Sequence, residues 1–148
     1  MAGTGKTRLL DYMALEAVGK GFSVYRGQGR PEKSSGPFSL LSGIVDRLAA
    51  ELEQDLKKQG RLRTSLGEHA TILAETFPSL GFLSETEGKA EPTPWLESKI
   101  LRALRSLFLQ ISSAYNPALI IMDDLQWADA ATRRFVLFWT AELELAEK

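Results

Sequence analysis

The chain has 148 residues, 44% of them hydrophobic and 25% charged, with a net charge of −1, a pI near 5.9 and no cysteine. Such a composition suits a globular domain, gives no global basic field for nucleic acid, and leaves no material for a disulfide framework or a thiolate metal site. No apolar run reaches the roughly 18 residues a bilayer span needs, and no signal-peptide pattern opens the chain, so a cytoplasmic protein without a membrane partner is expected.

The first seven residues, Met1-Ala2-Gly3-Thr4-Gly5-Lys6-Thr7, hold the second half of the phosphate-loop pattern Gly-x-x-x-x-Gly-Lys-Ser/Thr. The pattern's first glycine would fall one place before Met1, so a piece of a longer protein is expected. Each residue type has a chemical reason. Backbone N–H groups at a helix N-terminus, here those of Gly3, Thr4 and Gly5, bind a polyanion with the help of the helix dipole. Gly3 and Gly5 let that backbone approach phosphate oxygens without an intervening Cβ. Lys6 is a compact cation able to reach the β- and γ-phosphates, and the Thr7 hydroxyl is an oxygen ligand of the kind Mg²⁺ takes. The competing reading is a glycine-rich turn that happens to precede Lys-Thr.

A helix is expected from about Lys6 to Val18, with Leu9, Leu10, Met13, Ala14 and Ala17 on one face and Gly19 and Gly21 as its stop. Phe22 to Arg26 reads as a short strand, and Gly27 to Pro37 as a loop, with Gly36-Pro37 before the next helix. Arg26 and Arg30 lie near the carboxyl end of that strand, where they could approach a phosphate or form a loop salt bridge. From Phe38 to about Gln59 the apolar stripe Phe38, Leu41, Ile44, Val45, Leu48, Leu52 and Leu56 predicts one continuous helix ended by Gly60, its charges forming a solvated face. A weaker helix spans Ser65 to Thr76, halted by Pro78, and Pro78 to Pro94 is an exposed loop. Pro94 suits the first turn of a helix running to about Ser113, with Leu96, Ile100, Leu101, Leu104, Leu107, Phe108 and Ile111 inward. His69, the sole histidine, lies on a polar stretch and is read as solvated.

Ala118 to Met122 is wholly apolar and runs into Asp123 and Asp124. Its length and isoleucines suit a buried strand of a parallel sheet with helices over both faces. Acids at the carboxyl end of such a strand stand where open α/β sheets bind ligands. This is the Walker B arrangement: Asp123 would hold Mg²⁺ through water opposite Thr7, and Asp124 would orient an attacking water as the catalytic carboxylate. A strand followed by an acidic helix cap is the alternative. Asp129 is a good N-cap for a last helix carrying Phe135, Val136, Phe138, Trp139 and Leu143, and Trp127 is expected to pack under the loop that follows, with direct nucleotide contact as the alternative. Arg133 and Arg134 read as surface residues.

The run Asp123-Asp124-Leu125-Gln126-Trp127-Ala128-Asp129 resembles the Walker B extension of the STAND-type signalling ATPases of the AAA+/Orc-like group. Ala2 to Leu10 and the stretch from Arg26-Gly27-Gln28-Gly29-Arg30 to Pro37-Phe38 are similar to that family as well, so the resemblance covers nearly the whole chain. It implies a partial P-loop NTPase domain over residues 1–148, from mid Walker A to just after Walker B. That is an α/β three-layer fold with a parallel sheet, lacking the first strand and the later strands, in which the strand at Phe22 to Arg26 lies beside the Walker B strand. It further implies ATP and Mg²⁺ as ligands, and effector and sensor domains on the same parent polypeptide. No arginine can be assigned to the γ-phosphate, and the short reach of Asp124 puts efficient hydrolysis in doubt. Four functions follow as expectations: an ATP-dependent signalling switch with slow or weak hydrolysis and ATP-dependent self-association; an Orc-like loader acting on DNA, which the acidic pI disfavours; a P-loop small-molecule kinase; and an inert truncated fragment.

Overall fold

The computed structural model describes residues 4–31, 37–84, 95–112 and 117–146, with Thr4 and Ala146 described in their backbone alone. Gly3, Gly36 and Pro94 lie outside the described residues. The elements in chain order are α1 (Thr4–Gly19), β1 (Ser23–Gln28), α2 (Ser39–Leu52), α3 (Leu56–Leu66), α4 (His69–Thr76), a 3-10 turn (Pro78–Leu83), α5 (Leu96–Ile111), β2 (Ala118–Asp123), a second 3-10 turn (Leu125–Trp127) and α6 (Ala130–Ala146). This is an α/β arrangement. The chain divides into two compact units, residues 1–44 with 111–133 and residues 45–110 with 134–148. Among the described residues, no helix is long and apolar enough to cross a membrane.

The first unit is built on β1 and β2, which pair in parallel from Ser23 opposite Ala118 to Gln28 opposite Asp123. The expected neighbouring of these strands is therefore present. Strand β1 runs two residues further than its apolar start suggests, into what reads as loop in the sequence. Its side chains alternate: Tyr25, Gly27 and Gly29 are buried, whereas Arg26 and Gln28 are exposed. Gly27 is required by a close approach, since a Cβ there would stand 2.5 Å from the Leu40 carbonyl oxygen of α2. Arg26, on the opposite face, bonds to Asp11 of α1. Helices α1 and α2 thus cover opposite faces of β1. Strand β2 is less buried than its apolar run predicts: Ile121 and Asp123 are buried, and the rest are intermediate. Among the described residues β1 is its one partner, which explains this.

Helix α1 ends in a Schellman closure around Gly21, at φ 88. The Phe22 and Gly21 N–H groups donate to Ala17 and Val18 carbonyls at 2.9 and 3.1 Å. Its expected apolar face is covered in part. Leu10, Ala14 and Ala17 are half-buried, while Leu9 and Met13 are exposed, because the sheet that α1 packs on has two strands among the described residues.

The second unit corrects the long-helix expectation. The stripe from Val45 to Leu52 is buried, but the helix stops at Leu52. Asp55 then caps α3, its carboxylate accepting the Lys58 N–H at 3.1 Å, and Gln59 Nε2 donates to the Leu52 carbonyl at 2.7 Å. These side-chain bonds satisfy helix-end groups that a continuous helix would not expose. Leu56, expected inward, is 79% exposed at the start of α3. Gly60 lies inside α3, not at a helix end, and Gly67 (φ 57) is the residue that ends it. Ser65 and Leu66 therefore belong to α3, and the weaker helix begins at His69. Pro78–Leu83 forms a 3-10 turn with Leu80 and Leu83 buried, where an exposed loop is expected. In the same unit Phe108 stacks on Trp139 with centroids 5.2 Å apart, and Phe135 tilts against both. Arg134 is exposed, as expected, and its guanidinium pairs with Glu97 there.

Candidate functional site

The site lies at the carboxyl ends of the two strands, within the first unit. The register brings Gln28 beside Asp123 and Arg26 beside Ile121, so all four side chains project from the face that α1 covers. Lys6, in the first turn of α1, reaches this edge. Its Nζ stands 3.1 Å from Asp123 Oδ1 and 3.9 Å from Asp124 Oδ1. The lysine side chain is 51% exposed while that of Asp123 is 6% exposed. A half-exposed cation on the open side thus faces a buried anion.

Asp123 is held through both oxygens. Oδ1 accepts the Asp124 N–H at 2.8 Å as well as Lys6, and Oδ2 accepts Arg26 Nη2 at 3.4 Å. The Lys6 ammonium first, then the Asp124 N–H and the Arg26 guanidinium, outweigh burial and keep its carboxyl below the ordinary range. Asp124 sits in the left-handed region at φ 54, a conformation rare for residues other than glycine, asparagine and aspartate. That turn swings its carboxylate toward two amides: Gln28 Nε2 donates to Oδ2 at 2.9 Å and Gln126 Nε2 to Oδ1 at 3.3 Å.

The turn after β2 is locked from beneath. The Gly29 N–H donates to the Asp123 carbonyl at 2.9 Å, and a Cβ on Gly29 would stand 2.3 Å from the Asp124 carbonyl oxygen. Asp129 caps α6, accepting the Thr132 N–H at 3.0 Å and the Thr132 hydroxyl at 2.6 Å. The same carboxylate accepts the N–H of Phe38 at 2.8 Å, a buried residue held at φ 62, and the Ser39 hydroxyl at 3.4 Å. Asp129 therefore ties the start of α2 to the start of α6. Trp127 departs from expectation. It is 52% exposed, because the 3-10 turn directs Leu125 and Trp127 outward and puts Ala128 in the inner position.

Of the residues expected to bind phosphate, Thr4 and Gly5 form the first turn of α1, which starts two residues earlier than the sequence suggests. Lys6 and Thr7 follow in the same helix, with Thr7 exposed. Lys6, Asp123 and Asp124 come together, and Arg26 joins them from β1, with an ion pair to Asp123. Sequence reasoning assigns no role to Gln28 or Gly29. The signal that could have found them is the alternation Arg26-x-Gln28 once β1 is extended to Gln28. Among the described residues no group of three or more His, Cys, Asp or Glu side chains could hold a metal. The carboxylates of Asp123 and Asp124 are oxygen donors, which fit a Mg²⁺ that completes its shell with phosphates and waters, and do not fit a resident metal cage.

No curated protein and no solved structure gives a significant match to the chain. Residues 1–146 match the profile of the AAA ATPase domain. The α/β arrangement with its parallel strand pair is consistent with part of a P-loop NTPase fold. With that match over nearly its whole length, the chain belongs to the AAA ATPase domain family.

Proposed function

We propose that this chain is the ATP-binding module of a cytoplasmic signal-transduction ATPase of the STAND type, a nucleotide-dependent switch with slow or weak hydrolysis. The observation that carries the reading is the 3.1 Å approach of Lys6 Nζ to Asp123 Oδ1. It brings a phosphate-seeking cation and a metal-seeking carboxylate, from far apart in the chain, to one edge of the sheet.

Thr4 and Gly5 contribute N–H groups at the start of α1, with Gly3 preceding them in the sequence, and the half-exposed Lys6 exchanges its carboxylate partners for the β- and γ-phosphates. Thr7 and Asp123 are the residues that would hold Mg²⁺, which when bound screens phosphate charge. Asp124 orients the attacking water. Its two oxygens each accept an amide N–H, from Gln28 and Gln126, which fixes the carboxylate's orientation. A switch needs a ligand that binds one state more tightly than another. Here the Lys6–Asp123 pair favours the nucleotide-free state, and triphosphate draws Lys6 away from it. We infer that the ATP state self-associates and passes its signal to effector and sensor domains of the same polypeptide.

Sedimentation velocity on the full-length protein tests this reading. ATP with Mg²⁺ is expected to produce a larger assembly than ADP, and Asp124→Ala is expected to prolong the ATP-induced state by slowing hydrolysis. Identical sedimentation with ATP, with ADP and without nucleotide would count against a switch.

A further inference from the structure

The buried carboxylate of Asp123 has a second cationic partner besides Lys6. Arg26 projects from the middle of β1 between two buried residues, Tyr25 and Gly27. One end of its guanidinium donates to Asp11 Oδ1 of α1 through Nη1 at 2.6 Å, and the other to Asp123 Oδ2 of β2 through Nη2 at 3.4 Å. Two nitrogens of one rigid fork thus join the helix that follows the phosphate loop to the strand that carries the acid. A lysine has a single nitrogen and could serve both carboxylates only as a point charge.

The oxygens of Asp123 are divided between two cations. Oδ1 faces Lys6 and the Asp124 N–H, and Oδ2 faces Arg26. Lys6 is the partner that a triphosphate attracts. When it leaves, Asp123 keeps the backbone N–H on one oxygen and the guanidinium on the other.

We propose that Arg26 is a positioning residue for the metal-binding carboxylate, bracing Asp123 Oδ2 against α1 so that only the Oδ1 side exchanges partners when nucleotide and Mg²⁺ arrive. This rests on the nucleotide-binding reading above. Without the brace, a nearly buried oxygen loses its charged partner, and the carboxylate rotates out of the position that receives the metal. That change works against the metal and leaves the phosphate contacts in place. Were Arg26 simply a competitor of the metal for Asp123, its removal would have the opposite effect, so the sign of the change decides.

The test measures binding of a fluorescent ATP analogue to the full-length protein, in EDTA and along a Mg²⁺ titration. Outer-sphere partners of metal ligands are typically worth about 10–100-fold in metal affinity, so Arg26→Ala is expected to raise the Mg²⁺ midpoint about tenfold. Affinity in EDTA should stay unchanged, which a general collapse of the loop would not allow. Arg26→Lys should recover part of the shift. Asp11→Asn, at an exposed position where the fold is not at risk, should move the midpoint the same way by less. An unchanged or lowered midpoint in Arg26→Ala would overturn the inference, as would equal losses with and without Mg²⁺. Lys6→Ala, run in parallel, separates the two readings. If Lys6→Ala abolishes binding while Arg26→Ala leaves the midpoint in place, the inference alone fails. If wild type does not bind, or Lys6→Ala binds as well as wild type, the nucleotide reading fails and takes the inference with it.

Discussion

Replacing Asp129 by alanine removes four hydrogen bonds at once, and the structure allows their cost to be worked out. Loss of the α6 cap costs about 1 kcal/mol. The Phe38 N–H, 2.8 Å from the carboxylate and on a residue that is 2% exposed, loses this acceptor, and a hydrogen bond to a charged group is worth about 1.5–3 kcal/mol. The left-handed backbone of Phe38 stores about 1 kcal/mol of strain, part of which the freed turn can release. The net expectation is about 2–3 kcal/mol. Urea unfolding followed by circular dichroism measures it, as a lower midpoint at unchanged slope. Asp129→Asn keeps one acceptor oxygen and should fall between wild type and alanine. Burial of Asp129 opposes ionisation, but hydrogen bonds from Thr132 and from the Phe38 N–H prevail and hold its carboxyl below the ordinary range. Its folded pKa therefore lies under the unfolded value of about 3.9, so its contribution is complete at neutral pH and disappears as pH falls through the folded value. A loss below about 1 kcal/mol in Asp129→Ala would refute the reasoning, because water would then be replacing the carboxylate at little cost.

Gly29→Ala forces a Cβ against the Asp124 carbonyl. Overpacking of this kind costs about 1–3 kcal/mol, and the displaced turn should lower ATP turnover more than ATP affinity in steady-state and equilibrium assays. Asp124→Ala should leave ATP affinity intact in equilibrium titration and reduce turnover in a phosphate-release assay. Turnover should be the same with and without DNA, given a net charge of −1; strong stimulation would favour a DNA-associated loader. Trp127→Ala, at a half-exposed position, should change stability by no more than about 0.5 kcal/mol in the same urea assay.

The parts of the fold written in local chemistry are legible in the sequence. The apolar run into Asp123-Asp124 gives β2, Gly21 gives the end of α1, and Asp129 gives the start of α6. The break between α2 and α3 is hidden because Leu56 continues the apolar stripe, although the Asp55 cap that causes the break is visible once the stripe is set aside. Exposure of Leu9, Met13 and Trp127 depends on what lies over them, which periodicity cannot report. The same holds at the site. Lys6, Asp123 and Asp124 announce themselves by motif. Arg26 stands out by its place near the end of its strand, but its pairing with Asp123 and the part played by Gln28 become visible only through strand register, and the second duty of Asp129, on the Phe38 N–H, joins segments that no local pattern connects.

The central claim is that Lys6 and Asp123 serve one bound nucleotide. The most direct measurement is the calorimetric affinity of the full-length protein for ATP with Mg²⁺, before and after Lys6→Ala. A charge-assisted contact is worth about 1.5–3 kcal/mol, so the account predicts that affinity falls by at least about tenfold. Equal affinity in the two proteins would contradict it.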